Sequence, residues 1–278
     1  MVKELSSKKR KAIYKSVTKK PNLHLNFKSK KDINLIKDNN IKTSKISISM
    51  NTKKNIELLP GYKEGLWWVQ DYAATIPVKL IKNLNNKKVL DMCSAPGGKT
   101  FQLLNAGAIV TSCESSKKRS EILEINAKRL NFKLNIIKKD VLKISTKDKY
   151  DVVLIDAPCS SSGTIKKNPE ILFRLKKPNF DFFINTQYKM LEKATQLIKN
   201  GGVIIFSTCS LSNLEGKKQI EKFLLNHKEY YNDSIKKNEM EKFSNLITSD
   251  GYFQSYPCDL NEMFGIDGFF IARLKKNN

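Results

Sequence analysis

The chain has 278 residues, and its 51 Lys and Arg residues outnumber its 27 Asp and Glu residues, which gives a formal net charge of +24. This length suits one medium-sized catalytic domain with a small accessory domain. The charge favours a polyanionic partner such as a nucleic acid. No apolar run reaches ~18 residues, so the sequence predicts no membrane-spanning helix.

The cysteines indicate the cellular compartment. There are five, and they form neither a CxxC pair nor a Cys/His cluster. An odd number without such spacing argues against a disulfide framework and against a zinc site. We therefore expect free thiols, no metal and a cytoplasmic location. The cysteines are Cys93, Cys113, Cys159, Cys209 and Cys258.

The amino-terminal part of the chain is strongly basic. Residues 1–54 contain 16 Lys or Arg residues and only three acids. Within them, residues 1–20 lack a sustained apolar pattern and predict a basic, flexible arm.

A small folded unit is expected after this arm. Apolar and polar residues alternate over 23–27 and 45–50, which predicts two strands. Between them, Ser29 could cap a short helix. These elements predict a small α/β subdomain over residues 21–58, followed by a catalytic domain over residues 59–278.

Both tryptophans lie in the segment that links these two units. A proline and two glycines around Trp67 and Trp68 indicate a turn. The two side chains could stack on a nucleic-acid base. They could also pack in the seam between the two units, which is the interpretation we favour.

From residue 88 onward, strand-like and helix-like segments alternate, as is typical of a parallel sheet covered by helices on both faces. The predicted parallel strands are residues 88–92, 108–113, 135–138, 150–155 and 203–207. A final strand pair is predicted at 253–256 and 269–274, and the Lys/Asn-rich stretch 230–250 predicts an irregular loop. This pattern indicates an open α/β fold.

The first of these strands leads into a turn of small residues. The sequence from Val89 to Thr100 reads Val-Leu-Asp-Met-Cys-Ser-Ala-Pro-Gly-Gly-Lys-Thr, which predicts a strand, a tight turn and the start of a helix. Gly97 and Gly98 would let a ligand approach the backbone closely. The helix would direct its positive end at the same place. The spacing matches neither the phosphate-binding GxxxxGK[ST] loop nor GxGxxG.

Acidic residues and a cysteine follow the other strands. Glu114, Asp140, Asp156 and Cys209 each lie at or just past a predicted strand end. Because ligands bind outside the carboxyl ends of parallel strands, these side chains are expected to share one pocket. Glu114 would suit the two hydroxyls of a ribose, and Asp140 would lie on the adenine side. With the small-residue turn, they make S-adenosylmethionine the expected cofactor.

Three stretches together resemble the RNA cytosine-C5 methyltransferases of the RsmB/Sun/Nop family. They are residues 89–100, the segment Asp-Ala-Pro-Cys-Ser-Ser-Ser-Gly at 156–163, and Phe-Ser-Thr-Cys-Ser at 206–210. The resemblance covers roughly residues 20–275, with the motifs in the family's order and spacing. It implies a Rossmann-like class I S-adenosylmethionine-dependent methyltransferase with a small amino-terminal α/β subdomain that contacts RNA.

The resemblance also implies which residues line the cofactor site. They are Cys93, Ser94, Ala95, Pro96, Gly97, Gly98, Lys99, Glu114, Asp140 and Asp156. Glu114 stands where the family more commonly has Asp, a change that keeps the charge and lengthens the reach.

The chemistry of cytosine directs attention to two cysteines. Carbon 5 is a poor nucleophile until a thiolate adds to carbon 6 and makes an enamine, so a covalent route needs a reactive cysteine. Cys159 and Cys209 are the candidates. DNA cytosine methyltransferases attack with the Pro-Cys cysteine, the counterpart of Cys159. Resemblance to the RNA enzymes implies that Cys209 attacks and Cys159 assists release, with Asp156 on the base edge and Lys99 assisting activation.

The target cytosine must be unstacked before carbon 6 can be reached. The segment 160–169 follows the Pro-Cys pair, and its Lys166 and Lys167 could hold flanking phosphates or be a solvated pair. After Thr-Cys-Ser the family commonly has Glu-Glu-Asn, of which only Glu215 is present here, so the geometry of that loop is in question.

The sequence therefore predicts a monomeric RNA methyltransferase that makes 5-methylcytosine, with 16S rRNA as the first choice of substrate and tRNA as the second. A non-catalytic RNA-binding or ribosome-assembly factor with the same fold is the alternative from another class. A DNA methyltransferase is a third reading, in which Cys159 rather than Cys209 would be the nucleophile.

Overall fold

The computed structural model describes residues 5–37, 40–174 and 180–277. Its first element is helix α1, Ser7–Val17, whose amino-terminal cap is the side chain of Ser6. Ile13 is 3% exposed and packs in an apolar cluster with Ile165 and Leu211. The prediction of a flexible arm is therefore wrong over this helix, while residues 1–4 of the predicted arm lie outside the described residues.

A four-stranded antiparallel sheet follows α1. Its strands are β1 (Leu23–Phe27), β2 (Asn40–Ser44), β3 (Ser47–Met50) and β4 (Trp67–Val69), in the spatial order β2-β3-β1-β4. The predicted strands are confirmed as β1 and β3. Between them, Lys30–Leu35 form a 3₁₀ helix in which the Ser29 side chain makes no capping hydrogen bond. Because β4 pairs with β1, the small subdomain extends past residue 58, the predicted boundary.

The two tryptophans of β4 join this sheet to the rest of the molecule. Trp67 is fully buried in the apolar core of the small sheet. Trp68 is 3% exposed and packs with Phe101 and Leu123 of the larger unit. Each indole N–H has an acceptor, and Trp68 donates to Gln70 Oε1 at 2.8 Å. The structure therefore favours seam packing over base stacking.

The larger unit is built on an eight-stranded sheet in the order β10-β12-β9-β8-β5-β6-β7, with β11 paired to β12. Five strands are parallel, and β10, β11 and β12 complete one side in antiparallel pairing. The strands are β5 (Lys88–Met92), β6 (Ile109–Cys113), β7 (Asn135–Ile137), β8 (Tyr150–Asp156), β9 (Ile198–Thr208), β10 (Tyr230–Asn232), β11 (Phe253–Gln254) and β12 (Phe270–Lys276).

Helices connect and cover these strands. They are α2 (Tyr72–Lys79), α3 (Gly98–Asn105), α4 (Lys117–Arg129), α5 (Ile171–Arg174), α6 (Phe180–Leu197), α7 (Lys217–Asn226) and α8 (Lys237–Met240). The central strands are buried on both faces, since Val152 through Ile155 are fully inaccessible. Such continuous apolar strands are characteristic of parallel sheets between helical layers. None of the described helices is both long and apolar enough to cross a membrane.

The stretch 230–250 differs from the predicted irregular loop. It forms β10, α8 and a 3₁₀ helix at Glu241–Leu246. Met240 and Phe243 are buried, and Arg273 of β12 donates two 3.0 Å hydrogen bonds to Glu239. Widely spaced buried apolar residues hold this segment together with ion pairs such as those from Arg273 to Glu239 and Asp233, which is why its polar composition suggested a loop.

Candidate active site

The predicted site residues gather at one edge of the large sheet. Cys93 follows β5, Glu114 follows β6, Asp140 comes shortly after β7, Asp156 ends β8, and Cys209 follows β9. This is the carboxyl edge of five parallel strands, where open α/β folds bind their ligands. The expectation that residues distant in sequence share one edge of the sheet is thus met.

The small-residue turn is shaped for close backbone approach. Gly97 has a φ of +112°, and a Cβ there would overlap the ring of Phe101. At Gly98 a Cβ would come within 3.3 Å of Gln70 Cγ. Gly97 therefore requires glycine, whereas an alanine at Gly98 would need only a small shift of the Gln70 side chain. The turn leads directly into α3, so the unpaired N–H groups of a helix start face the site.

The rest of the turn is fixed by its neighbours. Both the N–H and the hydroxyl of Ser94 donate to the Cys113 carbonyl at 3.0 Å, which ties the turn to the end of β6. The Ala95 carbonyl accepts from Arg119, and the Pro96 carbonyl accepts from an asparagine of α4. The polypeptide of the turn is thus positioned without using its free N–H groups.

One carboxylate oxygen of Glu114 has no hydrogen-bond donor within the described part of the chain. The residue is 3% exposed, and one carboxylate oxygen accepts from Ser116 N at 3.0 Å. Its other oxygen, Oε2, is buried and has no hydrogen-bond partner among the described residues, although Arg119 lies 3.4 Å away. A buried carboxylate oxygen without a donor is costly, and two ribose hydroxyls would satisfy it. Asp140, which is partly exposed, accepts from Leu142 N at 3.0 Å.

A polar side chain beneath the turn was missed in the sequence. Asp91, inside β5, is 1% exposed and accepts from the Thr100 hydroxyl at 2.6 Å. Burial raises the pKa of Asp91 to about 7. A lone carboxylate in an otherwise apolar strand was the signal available in the sequence. Its bond to Thr100 ties α3 to β5 and so supports the turn between them.

Asp156 and Lys99 form an ion pair on the side of the site nearer the cysteines. Lys99 Nζ donates to Asp156 Oδ2 at 2.7 Å, and the Ser207 hydroxyl donates to Oδ1 at 3.1 Å. The Lys99 ammonium also lies 5.2 Å from the centre of the Phe269 ring. Because the ammonium is already paired, the geometry favours an electrostatic role for Lys99 over that of proton acceptor.

The two motif cysteines are in contact. Cys159 Sγ and Cys209 Sγ are 3.4 Å apart, and both thiols are free and partly exposed. The hydrogen bond between them lowers the pKa of Cys209, and the same bond, with burial, raises the pKa of Cys159 well above its usual value. The contact therefore distinguishes the two sulfurs, because it lowers the pKa of Cys209 and raises the pKa of Cys159.

The remaining cysteines do not resemble this pair. Burial raises the pKa of both Cys93 and Cys113 to about 12, and burial also raises the pKa of Cys258. Each of these three is therefore a thiol at neutral pH. The described part of the chain contains no group of three or more His, Cys, Asp or Glu side chains arranged to hold a metal ion.

The two predicted phosphate-binding lysines have protein partners instead. Lys167 Nζ donates to Asp71 at 2.5 Å and to Asp267 at 2.8 Å, so its charge is compensated by two carboxylates. Lys166 Nζ donates to Asn261 Oδ1 at 2.9 Å, a neutral partner. The expectation for Lys167 is corrected, because pairing with buried aspartates fixes it within the protein. Burial lowers the pKa of Lys166, and the nearby Asp267 and Asp71 act in the opposite direction without a direct ion pair among the described residues.

Comparison with known proteins identifies the family. The 16S rRNA methyltransferase RsmB/F family matches residues 78–275. Ribosomal RNA small subunit methyltransferase B of Photorhabdus laumondii is 30% identical over 226 residues, which are 80% of this chain and 49% of that protein. Methyltransferase F of Vibrio cholerae is 32% identical over 225 residues, 76% of this chain and 46% of that protein. The chain spans about half the length of these curated relatives.

Solved structures confirm the predicted Rossmann-like methyltransferase fold. The crystal structure of NSun6 from Pyrococcus horikoshii with SFG superposes on this chain with a TM-score of 0.81 at 17% sequence identity. The superposition covers 99% of this chain and 96% of the NSun6 chain. S-adenosylmethionine is the cofactor of this fold and family. The glycine turn, the start of α3 and the unpartnered oxygen of Glu114 fit it. The chain belongs to the 16S rRNA methyltransferase RsmB/F family.

Proposed function

We propose that this chain methylates carbon 5 of a cytosine in RNA through a covalent bond between Cys209 and the base. The observation that carries the proposal is the 3.4 Å contact between Cys209 and Cys159, which lowers the pKa of Cys209 and raises the pKa of Cys159. A cysteine that attacks and a second that assists release are the two groups that the family resemblance implies.

Each group has a defined part in this reaction. The Cys209 thiolate adds to carbon 6, which forms an S–C bond and makes carbon 5 nucleophilic. Asp156, fixed by Lys99 and Ser207, would hydrogen-bond the N3/N4 edge of the ring. When bound, S-adenosylmethionine supplies the methyl group. Water then takes the proton from carbon 5, and the electrons of that C–H bond expel Cys209 as a thiolate by β-elimination, while the adjacent Cys159 thiol assists release by a hydrogen bond to the departing sulfur.

The RNA substrate is inferred from charge and from the relatives. The net charge of +24 favours a polyanion, and both curated relatives described above are named as small-subunit rRNA methyltransferases. We therefore propose 16S rRNA as the first substrate and tRNA as the second. Lys166 remains our candidate for contacting a phosphate beside the target. The need for two reduced thiols supports a cytoplasmic location.

Tritium transfer from labelled S-adenosylmethionine would test the proposal. Unmodified small-subunit rRNA and tRNA would be offered separately to the wild type, Cys159→Ala and Cys209→Ala, and denaturing gels would detect trapped protein–RNA adducts. We expect methylated cytosine with the wild type, at least ~1,000-fold less with Cys209→Ala, and accumulation of adduct with Cys159→Ala. Cys258→Ala, which changes a cysteine outside the proposed site, is the matched control.

Other outcomes would select the other readings. An active Cys209→Ala together with an inactive Cys159→Ala would assign the attack to Cys159, as in DNA methyltransferases. Cofactor binding without methyl transfer to either RNA would favour an RNA-binding or assembly factor. The lowered pKa of Cys209 and the raised pKa of Cys159 support Cys209 as the attacking sulfur.

A further inference from the structure

A buried carboxylate lies between the two cysteine-bearing loops. Glu215 is completely inaccessible, and among the described residues no cation pairs with it. Its Oε1 accepts from Ser160 N at 2.8 Å and from Gln187 Nε2 at 3.2 Å, and its Oε2 accepts from the Ser210 hydroxyl at 2.5 Å. A charge buried in this way is costly unless hydrogen bonds compensate it, and three donors converge here to do so.

The same hydrogen bonds hold the backbone on both sides of the first cysteine, Cys159. Ser160, which follows Cys159, donates its backbone N–H to Glu215. Pro158, which precedes Cys159, offers its carbonyl to Gln187 Nε2 at 3.0 Å. Because Gln187 also donates to Glu215, the peptide before and the peptide after Cys159 are fixed to one carboxylate.

The second cysteine is flanked in the same way. The hydroxyl of Ser210, which follows Cys209, donates to the Glu215 carboxylate at 2.5 Å. The hydroxyl of Thr208, which precedes Cys209, donates to the backbone carbonyl of Glu215 at 3.1 Å. One residue therefore holds the neighbours of both cysteines, which come from the ends of two different strands, β8 and β9.

The charge of this residue acts unequally on the two sulfurs. Glu215 is among the causes that raise the pKa of Cys159, after the hydrogen bond to Cys209 and burial. For Cys209, the nearby charges that act on the pKa are Asp156, which raises it, and Lys99, which lowers it, whereas Glu215 is not among the principal causes. The carboxylate thus favours a protonated Cys159, which is the form that can donate a hydrogen bond to Cys209.

We propose that Glu215 is a positioning residue that holds Cys159 and Cys209 in contact and thereby decides which of two chemically identical thiols is the nucleophile. The inference rests on the proposed function for the roles of the two cysteines, but the sulfur contact itself does not depend on RNA or cofactor. It also explains why one glutamate after Thr-Cys-Ser suffices here, since Glu215 alone reaches both loops.

Limited alkylation of the full chain tests this without substrate. Iodoacetamide would be added in the absence of RNA and S-adenosylmethionine, and labelling of the two cysteines would be followed by peptide mass spectrometry from pH 6 to pH 9. In the wild type we expect Cys209 to react about 10-fold faster than Cys159. In Glu215→Ala we expect this ratio to fall at least ~5-fold and kcat for methyl transfer at least ~30-fold, with KM for RNA within about twofold.

Two further variants separate positioning from general damage. Glu215→Gln keeps the size and an acceptor for Ser160 N, so it should recover much of the ratio lost in Glu215→Ala. Ser210→Ala removes one of the bonds and should lower the ratio about threefold, even if Glu215→Ala fails to fold. Glu221→Gln, on the exposed face of α7, is the matched control and should leave the ratio unchanged.

The outcomes are distinguishable from those of the proposed function. The positioning role is overturned if folded Glu215→Ala keeps the wild-type ratio of Cys209 to Cys159 alkylation. If Glu215→Ala does not fold, it is overturned when both Glu215→Gln and Ser210→Ala keep that ratio. A loss of kcat in Glu215→Ala with an unchanged ratio also overturns it, because that loss would be structural. If the wild type shows selective labelling but methylates no RNA, the proposed function fails while the positioning role stands.

Discussion

The cofactor side and the cysteine side of the candidate site differ in how far their polar groups already have hydrogen-bond partners within the protein. On the cofactor side, the backbone turn is open and Glu114 carries a buried oxygen without a hydrogen-bond partner among the described residues. On the cysteine side, the Glu215 carboxylate accepts hydrogen bonds from Ser210 and Gln187, and the two sulfurs contact each other. One side is completed by a ligand and the other is already organised. Substitutions on the first should change binding, and substitutions on the second should change turnover.

The largest expected effect on the binding side comes from Gly97→Ala. The left-handed backbone and the overlap of a Cβ with Phe101 would distort the turn. We expect S-adenosylmethionine affinity to fall by at least ~100-fold, as measured by calorimetry, while the Cys209 to Cys159 alkylation ratio stays within about twofold. Gly98→Ala, where the nearest atom is 3.3 Å away on a flexible side chain, is the milder control. An equally large change in the alkylation ratio would contradict the division into two sides.

Glu114→Gln should have an intermediate effect on the same side. The amide keeps the shape of the carboxylate but offers one acceptor fewer and no charge to a ribose diol. We expect cofactor affinity to fall about 30-fold, which is about 2 kcal/mol, with kcat at saturating cofactor nearly unchanged. Glu124→Gln on the exposed face of α4 controls for the loss of charge. A drop in kcat without a change in affinity would assign Glu114 to the chemical step instead.

Asp91→Asn should give the smallest of these effects. We expect it to change the free energy of unfolding rather than cofactor binding. Burial raises the pKa of Asp91 from 3.8 to about 7 in the folded protein, so the folded state binds the proton more tightly than the unfolded state does. Stability is therefore highest below pH 4 for this group and declines as the pH rises toward 7. Urea unfolding at pH 5 and pH 8 should show a loss on the order of 1 kcal/mol in the wild type that Asp91→Asn largely removes. An undiminished loss in the variant would mean that another group titrates.

Much of the large sheet and its ligand edge could be predicted from the sequence, because continuous apolar strands and the turns after them are local signals. The contact between Cys159 and Cys209 follows from topology, since β8 and β9 are neighbours in the sheet. Gln187 could not be found in this way. It lies on the buried face of α6, where periodicity leads one to look for apolar residues, and its partners are on other elements.

The amino-terminal elements were harder to predict for a different reason. Ile13 is the buried apolar residue of helix α1, and the few apolar residues of this helix stand among lysines without a sustained helical period. Strand β4 is three residues long and is defined by its pairing with β1 across a long separation in sequence. Lys167 looked available for RNA because its two aspartate partners, Asp71 and Asp267, are each roughly 100 residues away.

The adjacent tryptophans of β4 have a mechanical consequence. Successive side chains on a strand point to opposite faces, so Trp67 enters the core of the small sheet while Trp68 enters the larger unit. This one dipeptide therefore anchors both cores at once, and hydrogen bonds from Asn105 to Lys28 O and from Arg129 to Tyr62 O add to the connection between the two units.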